Sequence, residues 1–232
     1  MPYQLTIMSR RALSKLGTIL TLPTLLLLTG ASKCGSNTFE VSKVPSNYTL
    51  TKEACEVIVV APPEFHEQVK PLADLISKGE GDYNAVNRGY AGDTPQGIKG
   101  LTGSSFAGFT VAQVVDMQRT WLYAVGRYQF IPRTLRFAVN MSDVNLSDKF
   151  NEETQDKLFA ALLEHKRPAI AAYLRGDHNY LGWALDELAR EWASVEYRYG
   201  RGYYDHIGGN RAHISRSEAS QTMTDVRSEI LS

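Results

Sequence analysis

One glutamate, Glu80, stands between two glycines at the point where a helical pattern stops. A carboxylate at a helix C-terminus faces the negative end of the helix dipole, which disfavours ionisation and should raise its pKa. A general acid that cleaves a glycosidic bond needs this property, because it must hold a proton near neutral pH for the leaving oxygen. Gly79 and Gly81 add no bulk, so a sugar chain could approach closely. Taken alone, these features still fit a solvated glutamate at a loop start better than a catalytic one.

The element that must position Glu80 is a helix. Four apolar residues share one helical face, namely Val69, Leu72, Ala73 and Ile76. Pro71 is compatible with the first turn of such a helix, and the glycines on either side of Glu80 end it. The pattern therefore predicts a core helix with Glu80 at its C-terminus.

Further along, the chain returns to helical patterns after a long polar stretch. Residues 82–109 are rich in Gly, Asn, Asp, Ser and Thr and predict short β segments at best, in a stretch long enough to suggest a function. Caps and apolar spacing predict helices over 110–121, 132–140, 151–167, 181–192 and 216–230. A polar, aromatic and glycine-rich segment spans Tyr197 to Asn210. The predicted fold class is α+β and mostly helical, with a small β hairpin region after the first core helix.

Short segments around and beyond Glu80 resemble lysozyme-like proteins. Ile76 to Asn84 resembles the start of their active site, where a core helix ends at the catalytic glutamate and a β hairpin follows. Tyr123 to Pro132 contains Gly126-Arg127-Tyr128-Gln129 and resembles the Gly-Arg-Tyr-Gln segment of the phage lambda endolysin family. That segment opens a helix along the sugar groove in the family. This second match is the stronger of the two.

Two later segments agree with the same family. Gln155-Asp156 is followed by an Ala/Leu-rich helix, and Glu191 to Val195 resembles the family's Trp-Ala-Ser segment. Gly202-Tyr203-Tyr204 then follows at the expected place. The matches keep their order across residues 72–210, about 60% of the chain. Their order and spacing favour Glu80 as a catalytic residue.

The resemblance implies a fold and an activity. The fold is the lysozyme-like α+β domain, expected over residues 64–232. The activity is that of a lytic transglycosylase, in which Glu80 would protonate the bond between N-acetylmuramic acid and N-acetylglucosamine. The 6-hydroxyl of the sugar then closes an anhydro ring. The expected partner is a peptidoglycan glycan strand, and the chemistry needs neither a metal nor a cofactor.

Two other functions stay open at this point. A hydrolytic lysozyme would normally need a second carboxylate, for which the candidates are Asp82, Asp93 and Asp116, with Asp93 in the polar stretch where a hairpin is expected. No pattern fixes any of them, so the one-glutamate mechanism is slightly favoured. A glycan-binding wall protein could keep the fold without activity, although the presence of Glu80 and the Gly-Arg-Tyr-Gln segment argues against this.

Six further residues are candidates for binding or positioning the sugar: Tyr83, Asn84, Arg127, Tyr128, Gln129 and Tyr203. Tyr128 could stack on a sugar face, Gln129 could bond an acetamido group, and Arg127 could meet a muramyl or peptide carboxylate. Tyr128 could equally be a core aromatic, and Arg127 a structural arginine. Tyr83 and Asn84 would position the loop after Glu80, while Tyr203 could stack on glycan. Trp192 lies on an apolar helical face and is expected in the core.

Composition limits the other partners. The 232 residues carry 25 basic and 25 acidic side chains, so the net charge is zero. Nothing in this balance favours bulk attraction to nucleic acid or to an anionic membrane. The five histidines are scattered and no Cys/His spacing resembles a zinc site. We expect a monomer.

The N-terminal residues 1–31 resemble an export signal. Arg10, Arg11 and Lys15 precede an apolar run, Leu16 to Leu28, which is shorter than the roughly 20 residues of a membrane-spanning helix. Small residues follow at 29–31, so a cleaved signal and a periplasmic or secreted protein are expected, with an uncleaved anchor as the alternative. Residues 32–63 would form an arm with one short strand at 57–60, in which Cys34 and Cys55 could form a disulfide.

Overall fold

The computed structural model describes residues 49–53, 56–60, 63–207 and 210–232. The expected signal segment and the Cys34–Cys55 pairing lie outside these residues. The chain divides into two compact units, Met1–Pro63 and Glu64–Ser232. In the first unit, strands β1 (Thr49–Glu53) and β2 (Glu56–Val60) form an antiparallel pair, which confirms the short strand predicted near Val57.

The second unit is mostly helical. Its helices are α1 (Phe65–Gln68), α2 (Lys70–Glu80), α3 (Gly97–Thr102), α4 (Val111–Thr120), α5 (Pro132–Met141), α6 (Glu152–Ala161), α7 (Pro168–Leu174), α8 (Leu181–Glu191) and α9 (Arg216–Ile230). Two antiparallel pairs of short strands complete it, namely β3 (Val86–Asn87) with β4 (Ala124–Val125) and β5 (Glu196–Arg198) with β6 (Arg201–Gly202). The α+β, mostly helical class is confirmed.

The helix boundaries follow the local signals in the sequence. Thr110 caps α4 with its side chain, and Asn151 caps α6 by accepting a 2.9 Å hydrogen bond from the Thr154 N–H. The helix predicted over 151–167 is present, but it changes from the α-helix α6 to a π-helical segment, Leu162–Lys166. Pro168 then begins α7 rather than only stopping the preceding helix, since proline fits the first turn.

The predicted β hairpin within 82–109 is not what the structure shows. β3 pairs with β4, about 40 residues further on, with Val86 opposite Val125 and Asn87 opposite Ala124. Val86 is buried, and Ala124 and Val125 supply the buried apolar partner that the polar stretch itself lacks. Within residues 82–109 themselves, the β pairing is limited to one antiparallel bridge, between Asn87 and Asp93.

The core of the second unit includes the apolar face of α2. Leu72, Ala73, Leu75 and Ile76 are buried there, and α2 packs against α9, α6 and α1. From α9 come Ala219, Met223 and Val226, all fully buried. Each fully buried leucine or isoleucine contributes about 1.5–3 kcal/mol to folding, so the helix that ends at Glu80 is held along its length.

Within the residues that the structure describes, no helix combines the length and apolar character needed to cross a bilayer.

Candidate functional site

The carboxyl group of Glu80, the last residue of α2, faces Ser194 in the turn between α8 and β5. Glu80 Oε1 accepts hydrogen bonds from the Ser194 hydroxyl at 2.6 Å and from its backbone N–H at 3.3 Å. Ser194 is buried, and its carbonyl oxygen accepts from the N–H groups of His213 and Ile214 at 2.7 and 2.9 Å. The partner of Glu80 is therefore itself fixed by backbone hydrogen bonds.

The glycines beside Glu80 allow this contact. A Cβ atom at Gly79 would lie 2.3 Å from Ser194 Cβ, so any larger residue would push the two segments apart. Gly81 ends α2 with φ 143°, a conformation that favours glycine, and a Cβ there would lie 2.6 Å from Ala85 Cβ. The sequence suggested that these glycines leave room for sugar. The structure gives them another reason, namely the close approach of Ser194 and Ala85.

Burial sets the protonation behaviour of this carboxyl. Burial raises the pKa of Glu80, while the two hydrogen bonds from Ser194 and the nearby His213 partly offset this increase. The direction agrees with the expectation from the sequence, and the loss of water is a cause that the sequence alone did not indicate. A carboxyl group with a raised pKa that is also held by a hydroxyl donor is suited to proton transfer.

Gln129 lies next to the segment that carries Glu80. Gly126, with φ 75°, opens the turn after β4 and donates its N–H to the Ala85 carbonyl at 2.8 Å. Gln129 takes a left-handed conformation, φ 48°, and its Nε2 donates to the Gly126 carbonyl at 2.9 Å. That nitrogen is 4.0 Å from the position of a Cβ at Gly81. The half-buried amide of Gln129 is therefore close to the end of α2.

Tyr128 lies in the core, which corrects the expectation that it stacks on sugar. Its residue exposure is 2%, and its ring stacks on Phe159 with 4.4 Å between centroids. Its hydroxyl donates to Asp156 at 2.5 Å. Trp192 is buried beside it, as predicted, and donates its indole N–H to the Tyr128 carbonyl at 3.3 Å. No face of Tyr128 is left for a ligand.

Arg127 is already paired within the protein. Its guanidinium donates to Asp74 at 2.6 Å and to Ser77 Oγ at 3.0 Å, both on α2. It also donates to the Tyr83 hydroxyl at 2.7 Å and lies over the Tyr83 ring. Tyr83 in turn donates to Asp156. This network joins α2, the Gly126 turn and α6, so Arg127 and Tyr83 have a positioning role. Arg127 was instead predicted to meet a carboxylate of the substrate.

Asn84 holds the loop that follows Glu80. Its side-chain oxygen accepts from the Phe106 N–H at 2.9 Å, and its carbonyl accepts from the Ile98 N–H at 2.8 Å. This is the loop-positioning arrangement expected from the sequence.

Gln155 is a positioning residue to which the sequence assigned no role. Its amide nitrogen donates to the carbonyls of Tyr83 and Phe150, and its amide oxygen accepts from the Arg127 N–H at 2.9 Å. The side chain is fully buried. A glutamine within an apolar helical pattern is the signal that could have identified it, because a buried amide needs partners.

The three candidate second carboxylates are exposed, and each has a local partner. Asp82 accepts from the Asn84 N–H, Asp93 from the Asn87 amide and Asp116 from Arg119. Among the described residues, the hydrogen bonds of the Glu80 carboxyl all come from Ser194.

Tyr203 lies on an exposed tyrosine surface that follows Ser194 in the chain. With 38% of its surface exposed, it meets Tyr197 and Tyr204 edge to face, at 5.2 and 5.0 Å between ring centroids. These residues line a pocket of about 540 Å³ around β5 and β6. β5 begins two residues after Ser194 and pairs with β6, which directly precedes Tyr203. The chain therefore links Tyr203, the residue predicted to stack on glycan, to the contact between Glu80 and Ser194.

Across the described parts of the chain, no group of three or more His, Cys, Asp or Glu side chains is arranged to hold a metal ion. Comparison of the chain with protein-family models, curated protein sequences and solved structures finds no match. The function must therefore be argued from the site itself.

Proposed function

We propose that the chain is a peptidoglycan-cleaving enzyme with a lysozyme-like catalytic domain, in which Glu80 is the general acid. One observation carries the proposal. The carboxyl group of Glu80 lies at the end of a core helix and accepts a hydrogen bond from Ser194, and burial raises the pKa of this carboxyl group. The proximity of the Gln129 amide and the exposed tyrosines around Tyr203 add groups suited to an acetamido sugar.

The contact with Ser194 divides the two oxygens of Glu80 between two tasks. Oε1 accepts from Ser194, so the proton resides on Oε2. In the proposed reaction, Oε2 donates this proton to the glycosidic oxygen as its bond to C1 of N-acetylmuramic acid breaks. The 6-hydroxyl of the same sugar then attacks C1 and gives its proton back to Oε2. The products are a 1,6-anhydro end and a free N-acetylglucosamine 4-hydroxyl, and Glu80 returns to its starting state.

The arrangement of carboxylates favours this route over hydrolysis. A hydrolytic lysozyme uses a second carboxylate to activate water or to form a covalent intermediate. Asp82, Asp93 and Asp116 each make local contacts within the loop or helix that carries them. A non-catalytic glycan-binding protein would not need a half-buried carboxyl group with a raised pKa, because the ionised form of such a group is disfavoured in the folded protein.

Digestion of purified peptidoglycan sacculi, followed by mass analysis of the fragments, tests the proposal. We expect the wild-type protein to release fragments that end in an anhydro sugar, one water molecule lighter than hydrolytic products. Glu80→Gln should be slower by about 10²–10⁴-fold, the usual contribution of a general acid. Asp93→Asn is the matched control and should cleave like wild type.

Each other outcome has a definite meaning. Reducing ends, together with loss of activity in Asp93→Asn, would establish the hydrolytic alternative. Undiminished cleavage by Glu80→Gln would refute the assignment of Glu80. Binding of sacculi by the wild-type protein without any cleavage would identify the non-catalytic alternative.

A further inference from the structure

A second aromatic surface surrounds the turn after β3. Tyr90, Trp121 and Tyr123 are exposed by 113%, 41% and 49%, and they line a pocket of about 650 Å³ together with Arg88 and Gln118. Single exposed aromatics are common, but three around one concave surface mark an interaction site. Flat rings with exposed faces suit the C–H face of a pyranose ring, against which they pack by dispersion.

The pocket is connected to the Glu80 region by the β3–β4 pair. Ala85, which lies against Gly81, precedes β3, and Arg88 follows it, so the backbone from Ala85 to the pocket spans at most roughly 10 Å. Tyr123 directly precedes β4, and its N–H donates to the Asn87 carbonyl at 2.9 Å. A polymer that reaches Glu80 can therefore extend over this pocket.

Buried contacts fix the position of the pocket wall. Gln118, which is 7% exposed, donates from its amide nitrogen to the carbonyls of Tyr123 and Phe130, at 2.9 and 2.7 Å. Its amide oxygen is buried and accepts no hydrogen bond from any residue that the structure describes. The two hydrogen bonds of the amide nitrogen therefore hold Gln118 as a fixed part of the wall behind Tyr123.

Charge distinguishes this pocket from a third one, which Trp183 and Tyr199 line. Within the described residues, Arg88 has no carboxylate within 4.0 Å. In the pocket lined by Trp183 and Tyr199, both arginines are paired with Asp186. An exposed arginine without a carboxylate partner can bind a carboxylate on the ligand. The surface around Arg88 therefore matches a glycan that carries carboxyl groups.

We propose that the pocket formed by Arg88, Tyr90, Trp121 and Tyr123 binds an acid-bearing N-acetylated glycan, as a subsite for the part of the strand that extends away from Glu80. This inference rests on the proposed function and names a binding region for its substrate. The carboxyl group could belong to the muramyl lactyl group or to an attached peptide.

Titration of the full-length Glu80→Gln protein tests the subsite without cleavage. The probes are peptide-free muramyl-containing oligosaccharides, the same strands with stem peptides, and a neutral N-acetylglucosamine hexamer. Added to this background, Trp121→Ala, Tyr123→Ala and Tyr90→Ala should each weaken binding of all three probes by about tenfold, as the loss of one stacked aromatic does. Arg88→Gln should weaken binding only of the two probes that carry carboxyl groups. If only the peptide-bearing strands respond, the peptide supplies the carboxylate.

Trp183→Ala is the matched control, because Trp183 is 55% exposed in the separate pocket that it lines with Asp186. It should bind all probes like its parent. Unchanged affinity in the Tyr90, Trp121 and Tyr123 variants would overturn the subsite, as would an equal loss in Trp183→Ala or failure of the parent to bind any probe. The highly exposed Tyr90 keeps the test valid if Trp121→Ala unfolds. Sacculus cleavage by Glu80→Gln at the wild-type rate would instead refute the proposed function, which is a separate result.

Discussion

At the scale of single residues, Glu80 makes stability depend on pH. Its folded-state pKa is raised above the unfolded value, so its ionised form is less favourable in the folded protein. Below the unfolded pKa both states are protonated and there is no penalty. As the pH rises from the pKa of Glu80 in the unfolded state to its pKa in the folded state, the free energy of unfolding falls. Above the folded-state pKa, this loss of stability stays constant.

Glu80→Gln should remove this dependence while keeping an oxygen that accepts from Ser194. We expect the free energy of unfolding of the variant, relative to wild type, to increase between about pH 4 and neutral pH. Urea unfolding of both proteins over that range measures the difference. A difference that stays constant with pH would show that the environment does not disfavour the ionised form.

Ser194 is predicted to tune the same group. Its hydroxyl donates to Glu80 and lowers the pKa of that carboxyl, so Ser194→Ala should raise the pKa further. On the proposed function, the alkaline limb of the pH–activity profile should move to higher pH, and the maximal rate should fall as Oε1 loses its strongest partner. A profile that keeps its position while the rate falls would assign Ser194 to folding alone.

At the scale of elements, Asp156 joins three segments that surround the site. It accepts from Tyr83 in the loop after α2 and from Tyr128 in the turn before α5, and it belongs to α6. Asp156→Ala would leave both tyrosine hydroxyls without this acceptor, which should destabilise the fold by about 3 kcal/mol. Urea unfolding measures this value, and Asp116→Ala at an exposed site should change it by no more than about 0.5 kcal/mol. Equal effects of the two changes would contradict the proposed importance of the network.

Elements with local signals were predictable from the sequence, whereas those that depend on distant partners were not. Thr110, Asn151 and Pro132 mark helix starts through their own side chains, and the structure confirms these helices. The pairing of β3 with β4 depends on residues far apart in the chain, and no turn signal announces it. A helix also begins at Pro168, a residue whose presence indicated only that the preceding helix stops.

The same division applies to the candidate site. The position of Glu80 at a helix end was predictable, because the apolar spacing and the glycines are local. Its partner Ser194 lies 114 residues away, and only folding brings the two together. Tyr128 illustrates the limit for aromatic residues, since an aromatic side chain at a helix start can face either the core or a ligand.

At the scale of the whole molecule, Glu64–Ser232 forms a compact unit with its own core. We expect the fragment 64–232 to fold alone with a single cooperative transition, which thermal unfolding followed by circular dichroism would measure. A broad, non-cooperative transition would show that the preceding residues are needed for the core.

The packing of α2 against α9 has a consequence for the newly made chain. The apolar face of α2 emerges from the ribosome early, but α9, which covers part of it, is made roughly 150 residues later. At the usual rates of synthesis this interval lasts roughly 10–30 s. During that time the part of the face that α9 covers remains open to chaperones and to aggregation. The proposed enzyme would therefore complete its catalytic arrangement only after Ser194, 114 residues beyond Glu80, has been made.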